Sequence, residues 1–147
     1  VYTAYTGSTE DVQKSKEAAQ AMIDKGVDLI GGGGNASNAG MIKACEEAGV
    51  YAFGELEQQN LAPETVIFCN MNNIENLVLQ AVKDTIDGDF QGCIREYGIA
   101  ADVAQLTEYN SHVPQEVKDK LAECMDQMRS GELDIPMITE ISDDIIH

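Results

Sequence analysis

Positive charge is scarce in this sequence. Lysine and arginine together number 9 against 26 aspartates and glutamates, which gives a formal net charge of −17. So few cations cannot form a patch that follows a phosphate backbone, and the negative charge is repelled by anionic lipid surfaces. We therefore expect no nucleic-acid partner.

Cysteine and histidine are also rare. The 4 cysteines are widely spaced and include no Cys-x-x-Cys pair: Cys45, Cys69, Cys93 and Cys124. Zinc motifs need closer spacing, so we expect no metal site. His112 and His147 stand alone in polar surroundings, which is typical of surface residues. Because no Ser-His, Cys-His or close carboxylate pair is evident, we predict no catalytic residue and no cofactor.

Long apolar runs are absent as well. A membrane-spanning helix needs roughly 18 consecutive apolar residues, and no stretch reaches that length. Residues 1–6 have the composition of a strand, so this chain shows no signal peptide. A hydrophobic content of 44% with 24% charged residues, over 147 residues, is typical of one globular domain.

The most informative stretch is a glycine loop between a predicted strand (27–30) and a predicted helix (38–48). Four glycines at 31–34 join the two elements, and Gly49 closes the helix. Backbone N–H groups at such a helix N-terminus suit an anion or a polar ligand oxygen, although a plain glycine turn is the alternative. The loop is no Walker motif, because Met41 follows Gly40, and Ser37 replaces the third glycine of a dinucleotide fingerprint.

Strands and helices alternate along the whole chain. Predicted strands cover residues 1–6, 27–30, 50–53, 65–69 and 93–97, with a further extended segment at 103–107. Predicted helices cover about 10–25, 38–48, 74–86 and 114–129. This pattern predicts an α/β lobe over 1–110: a parallel sheet of five or six strands with helices on both faces, in the flavodoxin-like order 2-1-3-4-5. Residues 111–147 then form a final helix and tail, which could include another strand.

A ligand crevice is expected where that order reverses, at the carboxyl ends of the first and third predicted strands. The turns after these strands and the glycine loop converge there, so we predict one pocket. The predicted ligand-binding residues are Gly7, Ser8, Thr9, Gly33, Gly34, Asn35, Ser37, Asn38, Glu55, Leu56, Glu57 and Asn72.

An ordered set of short segments resembles the basic membrane protein family, the substrate-binding lipoproteins of bacterial ABC transporters, which include purine nucleoside receptors. The segments are Tyr5-Thr6-Gly7-Ser8, residues 16–19, residues 26–30, the glycine loop, residues 47–52, residues 61–63 and Ser130-Gly131-Glu132. The resemblance implies a type I periplasmic-binding-protein fold, of which this chain is the second lobe. It also implies a small nucleoside-like ligand, an N-terminal lobe, an ABC permease partner and an extracytoplasmic location, either periplasmic or anchored as a lipoprotein.

The sequence departs from the family at the positions that read the ligand. Thr9 replaces an aromatic residue that stacks on the base, and Leu56 replaces an aspartate that reaches ribose hydroxyls. Asn72 stands in place of a lysine, and residues 35–37 replace a Gly-Gly-Thr segment. These changes argue against a purine nucleoside, while the class of solute-binding protein is retained.

An enzyme is the competing interpretation. In that case the chain is a Rossmann-like nucleotide-binding domain, with the glycine loop on phosphate and Glu55 on ribose. The incomplete fingerprint and the lack of a nucleophile or an acid–base pair speak against it.

Two further expectations concern association and cysteines. The last predicted helix carries one apolar face, formed by Val117, Leu121, Cys124, Met125 and Met128. The resemblance implies that this face packs on the first lobe. Without that lobe the face either folds back on the chain's own sheet or pairs with a second copy, and we favour a homodimer or domain swap through this helix and the isoleucine-rich tail. A Cys69–Cys93 disulfide is not expected, because the two residues would lie at opposite ends of neighbouring parallel strands.

Overall fold

The computed structural model describes residues 1–136, in which helices and strands alternate. In chain order the elements are α1 (Val12–Ile23), β1 (Leu29–Gly31), α2 (Asn38–Ala48), β2 (Tyr51–Glu55), β3 (Val66–Asn72), α3 (Ile74–Asp87), β4 (Ala104–Leu106) and α4 (Gln115–Ser130). Short 3-10 turns lie at Gln58–Leu61 and Ile99–Ala101. The predicted α/β class is confirmed. Within the described residues, no helix combines the length and apolar character needed to cross a membrane.

Local capping residues determine where the helices begin and end. The side chains of Asp11 and Asn73 each accept a hydrogen bond from the backbone N–H three residues further on, at the starts of α1 and α3. Gly49, Gly88 and Gly131 follow α2, α3 and α4 with positive φ, the conformation that glycine adopts without steric cost. All four helices therefore lie within two residues of their predicted bounds.

The sheet differs from the predicted one in strand number and order. Within residues 1–136 it has 4 strands in the order β1-β2-β3-β4. The first three are parallel, and β4 runs antiparallel to β3 with Leu106 opposite Asn70. The predicted order 2-1-3-4-5 is wrong here because β1 pairs directly with β2, Leu29 opposite Tyr51, which leaves no space for residues 1–6 between them.

Two segments with strand-like composition form no strand. Residues 1–6 are unpaired, and Tyr2 and Tyr5 are exposed. Residues 93–97 are irregular, whereas the further extended segment supplies β4. Composition favours an extended backbone but does not specify a hydrogen-bonded neighbour, so both predictions of a strand were wrong. The possible strand in the tail lies mainly outside the described residues, and 132–136 form none.

The buried core lies between one face of the sheet and the pair α1–α2. It consists of Ala19, Ile30, Met41, Ile42, Ala44, Cys45, Ala52, Ala62, Val66 and Cys69. The two helices approach closely at Gly40, where an added Cβ would lie 1.9 Å from the carbonyl oxygen of Val12. Glycine at this position is therefore required by packing.

The opposite face of the sheet carries aromatic rings. Phe53 and Phe68 lie with ring centroids 4.9 Å apart, and Tyr109 meets Phe68 edge-on at 5.7 Å. His112 packs against Tyr51 at 5.6 Å and places Nε2 2.9 Å from a carboxylate oxygen of Glu64. His112 is exposed, as predicted for a surface residue.

Helix α3 has no buried residue, although its sequence is amphipathic. Its apolar residues recur at helical spacing, as Ile74, Leu77, Val78, Ala81 and Val82. Ile74, Val78 and Val82 are exposed, as is Ile86 on the last turn. The described part of the chain thus leaves this apolar face uncovered.

Helix α4 lies against its own chain. Leu121, Cys124, Met125 and Met128 line a cavity of about 250 Å³ together with residues 70–72 of β3 and 104–106 of β4. Arg129 at the end of α4 also lies 3.7 Å from the carboxylate of Asp102. This is the folded-back arrangement, so the observation that motivated a homodimer through α4 no longer supports it.

All four cysteines are free thiols. Cys69 is buried in β3, whereas Cys93 is exposed in an irregular segment. The two are separate, although the parallel-strand geometry that was used to predict this is not present.

Candidate functional site

The turn before α1 contacts the glycine loop at the carboxyl end of β1. The carbonyl oxygen of Thr9 accepts hydrogen bonds from the backbone N–H groups of Asn35 and Ser37, at 3.1 and 3.0 Å. The side-chain amide of Asn35 donates to Glu10 at 3.0 Å. Ser8 fixes this turn, because its Oγ accepts the N–H groups of Glu10 and Asp11. Two separate stretches of sequence are thus joined, although the reversal of strand order that was expected to place the crevice is not present within residues 1–136.

These contacts change the chemistry expected at the N-terminus of α2. An anion there would be bound by free N–H groups of the first turn and of the loop before it. The carbonyl of Thr9 already occupies two of these donors, at Asn35 and Ser37. The loop is therefore held by the protein's own backbone at the place where a phosphate cradle would lie.

The glycines in the loop admit neighbouring polar side chains. An added Cβ at Gly32 would lie 2.5 Å from Oδ1 of Asn38, and one at Gly34 would lie 2.3 Å from Oγ of Ser37. A Cβ added at Gly33 would have no other atom within 4 Å. Close packing of Ser37 and Asn38 therefore accounts for two of the glycines without a ligand.

Asn38 connects the glycine loop to the end of β2. Its side chain is buried, with 2% relative exposure, and its amide donates to Oε2 of Glu55 at 3.2 Å and to Oε1 of Gln58 at 3.4 Å. Gln58 also accepts the backbone N–H of Glu55 at 2.9 Å. The Glu55 carboxylate is half-buried and held in place by its neighbours, at the edge of the sheet predicted to bind a ligand.

The predicted residues fall into a connected group and a set of outlying ones. Ser8, Thr9, Gly33, Gly34, Asn35, Ser37, Asn38 and Glu55 belong to the hydrogen-bonded turn, the loop and the end of β2. Gly7 precedes this group with a positive φ of 71°, and Glu57 is exposed beside it. Asn72 lies at the end of β3 and lines the separate cavity beneath α4.

Leu56 also lies at this edge, in an unusual conformation. Its φ is 53°, a left-handed value that costs a residue with a Cβ about 1–2 kcal/mol. Its backbone N–H donates to the carbonyl of Asn70 at 2.8 Å, and its side chain is exposed. The backbone at the end of β2 is therefore constrained by hydrogen bonding to β3.

Sequence reasoning missed Gln58 and Glu10, which complete the two polar contacts. Neither residue belongs to a motif. Glu10 contacts Asn35, which is 25 residues away in sequence, and Gln58 contacts Asn38, which is 20 residues away, so no local pattern predicts either contact. The pKa of Asp11, next to this group, lies below its ordinary value because the backbone N–H of Lys14 donates to its carboxylate.

The space at this edge is small. A cavity of about 110 Å³ is lined by Gly33, Ser37 and Asn38 together with the inner face of α1. Sites for drug-sized ligands enclose about 300–1,000 Å³, so this cavity alone does not enclose a nucleoside. In the described residues, no group of three His, Cys, Asp or Glu converges as metal ligands would.

Helices packed on a largely parallel sheet, with a polar cluster at the carboxyl ends of β1 and β2, define an α/β lobe of the periplasmic-binding-protein class. The sequence profile of the Bmp family, described as "ABC transporter substrate-binding protein PnrA-like", matches residues 1–139. The chain belongs to this family.

Individual relatives are named for different functions. The chain is 25% identical over 134 residues to a purine-binding protein of Brucella abortus, covering 90% of this chain and 37% of that one. It is 23% identical over 135 residues to the transcriptional activator protein med of Bacillus subtilis, covering 90% and 43%. It is 26% identical over 126 residues to a putative ABC transporter glucose-binding protein of Haloferax volcanii, covering 85% and 32%.

Solved structures share the fold. A transcriptional activator of the comK gene from Bacillus halodurans superposes with a TM-score of 0.80 at 22% identity, covering 88% of this chain and 46% of that one. An ABC transporter solute-binding protein from Aeropyrum pernix gives 0.75 at 20% identity, covering 96% and 48%. The chain thus spans less than half the length of each of these relatives.

Proposed function

We propose that this chain is the second lobe of an extracytoplasmic solute-binding protein that delivers a small polar molecule to an ABC permease. Membership of the Bmp family supports this function. A first lobe would close over the carboxyl edge of the sheet. Attachment to the membrane as a lipoprotein is part of the same proposal.

The chemistry of the polar cluster supports a particular class of ligand. Its side chains are carboxylates and amides: Glu10, Asn35, Asn38, Glu55 and Gln58. Carboxylate and amide oxygens accept hydrogen bonds from hydroxyl or amino groups, and the two carboxylates also repel phosphate. The ligand we propose is therefore neutral or cationic and rich in donors, a nucleoside-like molecule or a sugar. The names of two relatives, a purine-binding protein and a putative glucose-binding protein, are compatible with this class.

The carboxylate of Glu55 carries the proposal. Because Asn38 donates to this carboxylate and Gln58 accepts the backbone N–H of Glu55, a ligand hydroxyl could bind Glu55 without reordering the side chain. The enzyme alternative, a nucleotide-binding domain, is not favoured, since the carbonyl of Thr9 lies where its phosphate would bind.

A thermal-shift screen at millimolar ligand tests this function. Adenosine, adenine and glucose are compared with NAD and inorganic phosphate, because ligand at 100 times Kd adds about 2.7 kcal/mol of stability. We expect at least one neutral ligand to raise Tm and the two phosphate compounds to leave it unchanged.

Glu55→Gln should remove the ligand-dependent part of the shift, since the amide keeps the size but loses the charge. Glu108→Gln, an exposed carboxylate outside the cluster, is the matched control and should retain the shift. Stabilisation by NAD or phosphate alone would contradict the proposed ligand class. An unchanged shift in Glu55→Gln would contradict the role of Glu55.

A further inference from the structure

Helix α3 packs on its own chain through its polar side. Asn76, Gln80 and Asp84 recur at every fourth position, so they form one row along the helix, and all three are half-buried. The side-chain amide of Asn76 donates to the carbonyl of Asp102 at 3.2 Å, and Asp84 forms an ion pair with Arg95. The side of α3 that faces the protein is therefore the side that a surface helix normally turns to the solvent.

The apolar side of α3 points away from the chain. A second row of residues at every fourth position begins two residues before the polar row, which places it on the opposite side of the helix. Its members are between 47% and 77% exposed, and they are Ile74, Val78, Val82 and Ile86. Because contiguous exposed apolar residues mark interaction sites on soluble proteins, another surface is expected to cover this row.

The sequence of the apolar row is symmetric. It reads Ile, Val, Val, Ile at positions 74, 78, 82 and 86, and its midpoint is position 80. In a two-fold symmetric pair the same patch of both copies meets itself, so that residue i contacts j and j contacts i. Two antiparallel copies of α3 with their axis at position 80 place Ile74 opposite Ile86 and Val78 opposite Val82.

We infer that the apolar row of α3 is the contact surface between two copies of this chain. Rows of residues spaced by four form the ridges of the commonest class of helix packing, in which two helices cross at about −50°. Valine and isoleucine also suit such a contact, because their χ1 angles in a helix are already restricted before they pack.

Charges beside the row are self-complementary as well. Glu75 and Lys83 lie on the same flank of the row, at 100° per residue around the helix. The same flanks of two antiparallel helices meet, so Glu75 of each copy approaches Lys83 of the other. The pairing therefore contains two equivalent ion pairs, one on each side of the symmetry axis.

Two features limit the strength of this association. A standard interface uses roughly 20–30 residues from each partner, whereas α3 offers one helix face. Each copy also carries a net charge of −17, so long-range repulsion opposes the approach of a second copy. We expect a Kd on the order of 0.1 mM, which salt lowers by screening the repulsion. At low micromolar concentration the chain is then a monomer in which α3 stays uncovered.

Sedimentation equilibrium of the full chain tests the inference. We expect a mass of 15.9 kDa at about 5 μM and close to twice that mass at about 0.5 mM, because mass action favours the dimer as concentration rises. Val78→Lys places a charge at the centre of the row while it reduces the net charge of the chain. The general repulsion therefore falls, yet the Kd should rise at least about tenfold, as expected for a central interface residue.

Val117→Lys is the matched control. Val117 lies on α4, its exposure of 43% is similar to the 56% of Val78, and the substitution changes the net charge equally. This variant should associate as tightly as the original chain. Far-ultraviolet circular dichroism verifies that both variants are folded.

A charge reversal tests the antiparallel arrangement. Lys83→Glu should weaken the dimer, because two glutamates then approach each other at both ion pairs. The double variant with Glu75→Lys and Lys83→Glu should recover the original Kd, since it exchanges the two charges.

Three results would overturn the inference. The first is a chain that stays monomeric at about 0.5 mM in about 1 M sodium chloride, where the Debye length is about 3 Å and repulsion is screened. The second is a Val78→Lys variant that associates as tightly as the original chain. The third is loss of the dimer in Val117→Lys, which would place the contact on α4. A double charge variant as weak as Lys83→Glu would overturn the antiparallel arrangement.

Discussion

At the scale of single residues, Gly40 shows how closely α1 and α2 approach each other. A Cβ on Gly40 would lie 1.9 Å from a backbone oxygen, which a side-chain rotation cannot relieve. We expect Gly40→Ala to lower the free energy of unfolding by about 1–3 kcal/mol or more, because overpacking forces backbone shifts.

Gly33→Ala is the matched control for this prediction, since a Cβ there meets nothing within 4 Å. Its effect on urea unfolding should be small. Equal losses in the two variants would show that α1 and α2 do not pack at Gly40 as described.

Cys45 provides a prediction about pH. Burial raises the pKa of the Cys45 thiol from 9.0 to about 11, because the thiolate is poorly solvated inside the protein. A group with a raised folded-state pKa stabilises the fold below its unfolded pKa, and that stability is lost as pH rises toward the folded value. The relevant window is therefore between these two pKa values.

Comparison of the original chain with Cys45→Ala isolates this contribution. The variant should be less stable at neutral pH, because it leaves a cavity in the core. At a pH near 10 the difference between the two chains should shrink by about 1 kcal/mol, since one pKa unit corresponds to about 1.4 kcal/mol. A difference that stays constant in urea unfolding across this range would contradict the burial of the thiol.

At the scale of elements, all four helices were predictable, whereas two of the five predicted strands, at 1–6 and 93–97, did not form. Each helix carries its own boundary signals, such as Asn73 at the start of α3 and Gly88 at its end, and these act over a few residues. A strand is defined by a partner that can be far away in sequence. Residues 1–6 and 93–97 have suitable compositions, yet β1 pairs with β2 and the segment at 104–106 pairs with β3.

The candidate site also contains features that the sequence predicts and features that depend on distant partners. The glycine loop and Glu55 follow β1 and β2, and the carboxyl ends of parallel strands share one edge, so their position was predictable. The turn at Ser8 contacts the loop although residues 1–6, which were expected to place it, form no strand. The contact of Asn38 with Gln58 joins residues 20 apart and rests on side-chain geometry that no local pattern encodes. The hydrogen bonds from the N–H groups of Asn35 and Ser37 to the Thr9 carbonyl are likewise not encoded by a local pattern.

Helix α3 differs from α2 in how much its packing contributes to stability. Ile86 on α3 is 77% exposed, whereas Ile42 on α2 is 2% exposed. We expect Ile42→Ala to lower the free energy of unfolding by about 2–5 kcal/mol. Ile86→Ala should change it by about 0.5 kcal/mol or less, as is usual for surface positions.

Hydrogen exchange gives an independent readout of the same difference. Backbone amides of α3 should exchange earlier than those of α2, because segments with few buried apolar contacts open at a low free-energy cost. A large loss of stability in Ile86→Ala, or protection of α3 equal to that of α2, would mean that another surface covers the helix in solution.

At the scale of the whole molecule, charge is the dominant feature. With 26 acidic and 9 basic side chains, the folded chain repels itself, since folding brings like charges closer together. Several ion pairs exist, such as Lys16 with Glu47 at 2.6 Å. The acidic residues nevertheless far outnumber the basic ones, so most acidic side chains have no cation to pair with. Salt should therefore stabilise the fold.

Raising sodium chloride from about 0.01 M to about 1 M shortens the Debye length from about 30 Å to about 3 Å and screens this repulsion. We expect Tm to rise by a few degrees, where about 1 kcal/mol corresponds to roughly 2–4 °C for a domain of about 150 residues. Glu123→Lys, at an exposed position of α4, changes the net charge from −17 to −15 and should raise Tm at low salt. Because the same repulsion is screened at high salt, the advantage of the variant should largely disappear there. If Tm falls with salt, or if the variant keeps its full advantage at high salt, the ion pairs outweigh the repulsion and the net charge does not limit the stability of this fold.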